Sequence, residues 1–231
     1  MSLRRGKRAV NVRRIRTNHA TFVLWNTAIL GAGWKAKSAS REVIMRIRDA
    51  VPTDFDEITA IYNEILTNST AIYNDRPATC QDRLAWRNAR LAQGYPVLVA
   101  AAGSKIAGFA SFGDFRPWPG YRFTVEGTVH IHSGSRGRGI GAQLLKALIQ
   151  RAKTLGKHTM IAGVDSENAV SLRFLEHFGF ERAGCLREVG HKFDRFLDLV
   201  FLQYWITPPA TGDGAIASEA AARSLGQSQE Q

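Results

Sequence analysis

The chain has 231 residues, 45% of them hydrophobic and 22% charged, which excludes a disordered composition and allows one domain of roughly 150–200 residues with tails. No run reaches the roughly 18 uncharged apolar residues of a membrane span, and two cysteines, Cys80 and Cys185, are too few for a disulfide scaffold or a thiolate metal site, so a cytoplasmic, reduced setting is expected. The net charge of +11 is concentrated at one end: residues 1–44 carry ten basic side chains and one acid, the remainder 21 basic and 19 acidic, so a nucleic-acid-binding body is not expected.

In chain order, residues 1–43 form a basic extension with no sustained helical or strand period, expected to be disordered. Three readings of it stay open: an organelle transit peptide, a nucleic-acid-binding arm, or a dispensable extension with Met45 as the functional beginning. Ile44 to Arg48 reads as a strand that opens a domain over 44–206. Apolar residues at Ile58, Ile61, Tyr62, Ile65 and Leu66 follow at helical spacing, with Thr53 as the expected N-cap and Asp56 and Glu57 at the positive end of the helix. A second helix runs from about Thr79 to Gln93, stopped by Gly94 and Pro96.

Val97 to Ala102 reads as a buried strand and Ile106 to Phe112 as its hairpin partner. Phe115 to Gly120 holds two prolines and a glycine and is a loop. Phe123 to His132 is a fourth strand, Ile140 to Leu155 an amphipathic helix, His158 to Val164 a strand and Asn168 to Phe178 a helix. Phe180 to Arg187 and Phe193 to Tyr204 read as the last strands, and the Pro/Gly/Ala/Ser/Gln-rich tail 207–231 as disordered.

The chemistry concentrates where the fourth strand runs into a Gly/Arg turn, Arg136-Gly137-Arg138-Gly139-Ile140-Gly141-Ala142, which opens directly into a helix. Glycines let successive backbone N–H groups converge, and the first N–H groups of a helix are unpaired at its positive end. Together they make a cradle for an anion such as a pyrophosphate, with Arg136 and Arg138 adding charge. A P-loop would need Lys followed by Ser or Thr, where Ala142 and Gln143 stand. A dinucleotide fingerprint fits no better, because the opening strand carries Glu126 and two histidines and is not the first strand of the fold.

That turn resembles the acetyl-CoA pyrophosphate motif of the GNAT acetyltransferase superfamily. The order of elements around it, with Arg48-Asp49-Ala50 in the opening strand and Gly179-Phe180 after the last helix, is also similar. Further runs resemble the phosphinothricin and methionine sulfone (L-amino acid) N-acetyltransferase subfamily: Ala71-Ile72-Tyr73-Asn74-Asp75, Gly94 to Val99, Tyr121 to Glu126, and Val189 to Phe193 with Leu197-Asp198-Leu199. The resemblance covers about 45–205. It implies an α/β (α+β) fold with a mixed, mostly antiparallel central sheet of about six or seven strands flanked by helices, acetyl-CoA as co-substrate, and a homodimer.

For the site, the resemblance implies a strand ending Val129-His130-Ile131 that splays from its neighbour and binds the pantetheine arm, a pyrophosphate cradle over Arg136 to Ala142, and a cofactor contact at Asn168. It places the acceptor loop at Arg116 and Pro119-Gly120-Tyr121, where Arg116 or Arg122 would meet an amino-acid carboxylate. Glu126 is the candidate base, because an α-ammonium must lose a proton before it attacks a thioester, and a carboxylate beside the acetyl group can take it. Three positions depart from the family pattern: Leu175 stands where Tyr or His is usual, His130 where Tyr is usual, and Gly127 where His is usual. Leucine cannot protonate a leaving thiolate, so the general acid stays unassigned. The histidines show no ligand spacing, and no metal site is expected. Acceptors of phosphinothricin or methionine sulfone/sulfoximine type lead, with a protein or peptide amine, or a non-catalytic acyl-CoA sensor, as alternatives.

Overall fold

The computed structural model describes residues 45–208, so the readings of 1–43 as an extension and of nearly all of 207–231 as a tail lie outside the described residues. Seven strands, β1 (Arg46–Asp49), β2 (Val97–Ala102), β3 (Lys105–Asp114), β4 (Thr124–Ile131), β5 (Thr159–Asp165), β6 (Glu181–Lys192) and β7 (Arg195–Trp205), form one sheet. Four helices accompany them: α1 (Phe55–Asn68), α2 (Cys80–Ala92), α3 (Ile140–Thr154) and α4 (Ala169–His177). The sheet order is β1-β2-β3-β4-β5-β7-β6, antiparallel at every pairing except β4 with β5, which is the mixed, mostly antiparallel sheet expected.

Around β2 both faces of the sheet are covered, which is why it reads as an unbroken apolar run. Val97, Val99 and Ala101 pack on one side with Phe55, Ile58, Ile61 and Ile65 of α1. Leu98 and Ala100 pack on the other with Leu144, Leu145 and Leu148 of α3 and Leu172 and Leu175 of α4. α2 opens with a capping box: the Thr79 hydroxyl accepts from the Asp82 N–H at 3.1 Å and the Asp82 carboxylate accepts from the Thr79 N–H at 2.9 Å. Gly94 ends it with φ +75°, a conformation that costs little without a Cβ.

Two sequence expectations need correction. Thr53 is not the N-cap of α1; Pro52–Asp54 form a single 3-10 turn and the helix starts at Phe55 with Asp54 at the cap position. The cause is Arg48, whose guanidinium grips the Asp54 carboxylate with two N–H donors at 2.6 and 2.8 Å while the Val51 N–H donates to it at 2.8 Å. The Arg48-Asp49-Ala50 run therefore joins β1 to α1. The second correction is β6, which runs past Arg187 to Lys192. Its register slips between Leu186 and Gly190, with Glu188 at φ +53° and its N–H donated to the Asp198 carboxylate at 2.8 Å. β6 then turns into β7 through Phe193 and Asp194, both at positive φ, a two-residue hairpin turn built without glycine.

The Arg48 pair and the Val51 bond hold the Asp54 carboxyl below its ordinary range, Arg48 contributing most. Its folded value lies below its unfolded one, so the stabilisation is complete above about pH 4 and is lost as pH falls through the lowered folded value. Asp54→Asn should cost about 1.5–3 kcal/mol at pH 7 and much less near pH 2, measured as the urea midpoint at the two pH values.

Candidate active site

β4 and β5 pair only at Thr124–Thr159, Val125–Met160 and Glu126–Ile161. Beyond Glu126, β4 stays bonded to β3 as far as Ile131, and β5 stays bonded to β7 as far as Asp165. The two strands diverge like a wedge, and from Gly127 onward the β4 edge that faces β5 has no strand partner. Position 127 itself is confined: a Cβ there would lie 2.8 Å from Met160 Sδ.

Cavities open on both sides of β4. One, of about 330 Å³, lies in the wedge and is lined by Gly127, Val129, Asp165, Asn168, Phe174 and Leu175 among others. The other, of about 310 Å³, lies toward α1 and α2 and is lined by Tyr62, Arg83, Trp86, Arg90, Phe109 and Gly113 among others. Glu126, Thr128, His130 and Ala71 line both, so alternate residues of β4 from Glu126 to His130 are the shared wall.

Past the wedge, the turn into α3 is shaped by Gly137 and Gly139 at φ +73° and +74°, where any Cβ would be strained although neither position is crowded. Among the described residues, the amides of Gly137 through Ala142 have no intrachain acceptor, and Gln143 N–H returns to Gly139 at 3.2 Å. Ser135 and Arg136 amides are already used, by the carbonyls of His132 and Ser133. The free cradle is therefore 137–142, a set of converging donors at the positive end of a helix, which fits a pyrophosphate. Arg136 Nε donates to the Ile131 carbonyl at 3.3 Å and so braces the turn against the end of β4, while Arg138 is exposed. Asn168 caps α4, its Oδ1 accepting from the Ser171 N–H at 3.1 Å, and it lines the wedge cavity.

Burial raises the Glu126 carboxyl above its ordinary range, opposed by the charges of Arg116 and Arg90. One of its oxygens lies over Gly163 of β5. His130 is pushed down to about 4 by burial, so its imidazole, tilted by 50° against the Phe109 ring with centroids 5.1 Å apart, is neutral at pH 7. Leu175 is a core residue at 9% exposure. Tyr73, in the wedge cavity, is raised to about 12 by burial and by Asp165 and Asp198, and so holds its proton.

The loop that contributes Ala71 and Tyr73 is tied down from the far edge of the sheet. Lys192 of β6, 3% exposed, donates to the carbonyls of Leu66, Ser69 and Ile72 at 2.6, 2.9 and 2.7 Å. Tyr73 packs on Gly190, where a Cβ would overlap its ring, and the Thr70 hydroxyl donates to Asp165. Two runs noted in the sequence, 71–75 and 189–193, thus meet here. The acceptor-loop residues Arg116, Pro119, Gly120 and Tyr121 line neither cavity; Arg116 is exposed and donates to its neighbour's carbonyl at 2.8 Å, although its charge is felt at Glu126. Arg122 is likewise exposed, donating to the Pro119 carbonyl at 3.2 Å. Sequence reasoning missed Arg83 and Arg90, whose spacing of seven with Trp86 between puts them on one face of α2.

Comparison with known proteins identifies the family. The family model for the acetyltransferase (GNAT) family matches residues 56–180. The L-methionine sulfoximine/L-methionine sulfone acetyltransferase of Pseudomonas paraeruginosa is 47% identical over 163 residues, covering 70% of this chain and 95% of that protein. The structure of yncA from Salmonella typhimurium with its cofactor acetyl-CoA has a TM-score of 0.69 at 44% identity, covering 74% of this chain and 98% of that one. A phosphinothricin acetyltransferase from Sinorhizobium meliloti, in complex with acetyl-CoA, has a TM-score of 0.67 at 33% identity, covering 73% and 94%. The chain belongs to the GNAT family of acetyltransferases.

Proposed function

We propose that this chain is an acetyl-CoA-dependent N-acetyltransferase that transfers acetyl to the α-amino group of a small free amino acid or analogue, of the phosphinothricin or methionine sulfone/sulfoximine type, by direct attack in a ternary complex. The observation that carries this reading is the shared wall of β4, with Glu126 open to the wedge on one side and to an arginine-lined cavity on the other. Two substrates entering from opposite faces meet at that residue. The acceptors named for the relatives are of this kind.

When bound, acetyl-CoA supplies an activated acetyl thioester. The amides of Gly137, Arg138, Gly139, Ile140, Gly141 and Ala142 receive its pyrophosphate, with Arg136 and Arg138 adding positive charge. The unpaired edge of β4 at Val129, His130 and Ile131 takes the pantetheine arm as an added strand, and Asn168 contacts the same arm from α4. A β4 amide polarises the thioester carbonyl. Glu126 removes the proton from the acceptor ammonium, and its raised pKa brings it nearer the strength a base needs at neutral pH. The thiolate that leaves resembles that of cysteine, near 8.5, and solvent can protonate it without help from Leu175. Arg116, Pro119, Gly120 and Tyr121 are the proposed acceptor loop, supported by the charge of Arg116 acting on Glu126, although none of the four lines either cavity.

The acetyltransferase domain is 44–206, and the ordered elements from Arg46 to Trp205 support that span. A homodimer and a cytoplasmic setting complete the proposal. Leu186, Val189, Phe193 and Phe196, exposed on β6, its turn and the start of β7, support the dimer, and the free thiols of Cys80 and Cys185 support the reducing setting. Among the described residues, no helix is long and apolar enough to cross a membrane.

The test is thiol release from acetyl-CoA across a panel of amino acids, peptides and simple amines, using the full chain. Methionine sulfone or phosphinothricin should be turned over and peptides should not; CoA binding with no thiol released by any amine would leave a sensor instead. Glu126→Gln should lower kcat by about 10²–10⁴-fold. In the wild type, the acid limb of kcat/KM should rise through a value above the ordinary glutamate pKa of about 4.3, and the Gln variant should lack that limb.

A further inference from the structure

The link between α1 and α2 walls the site without a strand to hold it. Ala71 and Ile72 line the cavity toward α1 and α2, and Thr70, Ala71 and Tyr73 line the wedge. Among the described residues, positions 70–75 make no backbone-to-backbone hydrogen bond. The far end of the link is secured on α1 by Asn63, whose side chain donates to the Ala78 carbonyl and accepts from the Ala78 N–H, both at 2.9 Å. The middle has no such partner on α1, and a segment whose backbone groups lack partners has no fixed course of its own.

Lys192 supplies the missing partner. It enters from β6, the edge strand farthest from β1, and is 3% exposed. Its ammonium gives one proton each to the carbonyls of Leu66, Ser69 and Ile72, at 2.6, 2.9 and 2.7 Å. These come from the last turn of α1, its C-terminal cap and the link, so one cation at the negative end of the helix fixes the direction in which the chain leaves it. No carboxylate among the described residues lies within ion-pair distance of it. Lysine is almost never buried unless paired, because taking an ammonium out of water is costly. A side chain needed there only for packing would be apolar.

The clamp acts on one side of the reaction. The cradle at 137–142 and the β4 edge at 129–131 are built from elements Lys192 does not touch: β3 holds β4, and Arg136 braces the turn on Ile131. The wall 70–73 has Lys192, the Thr70 bond to Asp165 and the packing of Tyr73 on Gly190, all from β5 and β6. Ala71 lines both cavities, as Glu126 does, so a shift of the link moves the wall where the acceptor amine meets its base.

We propose that Lys192 is a positioning residue for the acceptor: by gathering three carbonyls it holds Thr70 to Tyr73 as the wall against which the amino acid packs beside Glu126. This rests on the acetyltransferase reading. Without the charge, the acceptor must order the link as it binds, and the loss falls on acceptor affinity while the donor keeps its own anchors.

Steady-state kinetics of the full chain with acetyl-CoA and L-methionine sulfone test this. Lys192→Met keeps an unbranched stem and removes the charge. It should raise the KM for methionine sulfone by about 10- to 100-fold, the scale of an ångström misplacement, with a smaller change in kcat. CoA binding, read by calorimetry, should stay within about threefold of wild type. Lys192→Arg keeps the buried charge but spreads its donors over a planar fork, and should raise the same KM by less. Gly190→Ala leaves Lys192 in place while its Cβ displaces the Tyr73 ring, and should also raise that KM. In Lys192→Ala, millimolar propylammonium should restore part of the acceptor affinity and tetramethylammonium, which has no N–H to donate, should not. A lysine that only supported the fold would weaken donor and acceptor alike and show no such rescue. An acceptor KM unchanged in the Met, Arg and Gly190→Ala variants, or equal losses of donor and acceptor affinity, overturns the proposal. Lys192-dependent calorimetric binding of methionine sulfone with no acetyl transfer to any amine would keep the positioning role and overturn the acetyltransferase reading.

Discussion

The arrangement depends on one interrupted pairing. β4 and β5 share three residue pairs and then separate, although each continues for several residues in the grip of its other neighbour. Because β3 and β7 hold the outer sides, the divergence opens an interior gap and not a frayed end. The gap supplies three things at once: unpaired backbone groups along β4, a hollow roofed by α4, and a sharp turn at the tip of β4 that presents the first amides of α3. Each would be unfavourable in a sheet that existed only to be stable, since unpaired backbone groups are normally satisfied.

The distant anchors make sense against that gap. The loop 69–73 forms part of both cavity walls, and no strand holds it. Lys192 replaces the missing ladder with three carbonyl contacts, and Thr70 and Tyr73 fasten the loop to Asp165 and Gly190. An ammonium with all three protons donated is a strong clamp, but it also loses hydration, which is why burial lowers the Lys192 pKa. The far hairpin of the sheet thus shapes the site from the outside edge inward.

Much of this was readable from residue order. The helical spacings gave α1 to α4 to within a few residues, and Gly137 and Gly139 announced the turn because only a residue without Cβ takes those dihedrals readily. What stayed hidden had no local signature. The Phe193-Asp194 turn lacks the glycine or asparagine that marks such hairpins, so β6 seemed to end early. The partners of Lys192 are carbonyls, which every residue has. Arg83 and Arg90 look like the solvent face of an amphipathic helix until Tyr62, Trp86 and Gly113 are seen around them. The resemblance points to Arg116 and Arg122 as partners for a carboxylate, but on their loop both are exposed and donate to nearby backbone carbonyls.

The position of the bare β4 edge also bears on self-association. Unpaired strand edges commonly recruit strands from other molecules, and proteins blunt them with charge, proline or bulges. Here none of those devices is needed along Gly127 to Ile131, because the opening narrows to ladder spacing at Glu126 and Ile161 and is walled by helices. A thin, flexible chain can slide into such a crevice; a strand flanked by its own sheet cannot lie down in it. The molecule can therefore leave its most adhesive backbone uncovered for its small partner without inviting polymerisation through it.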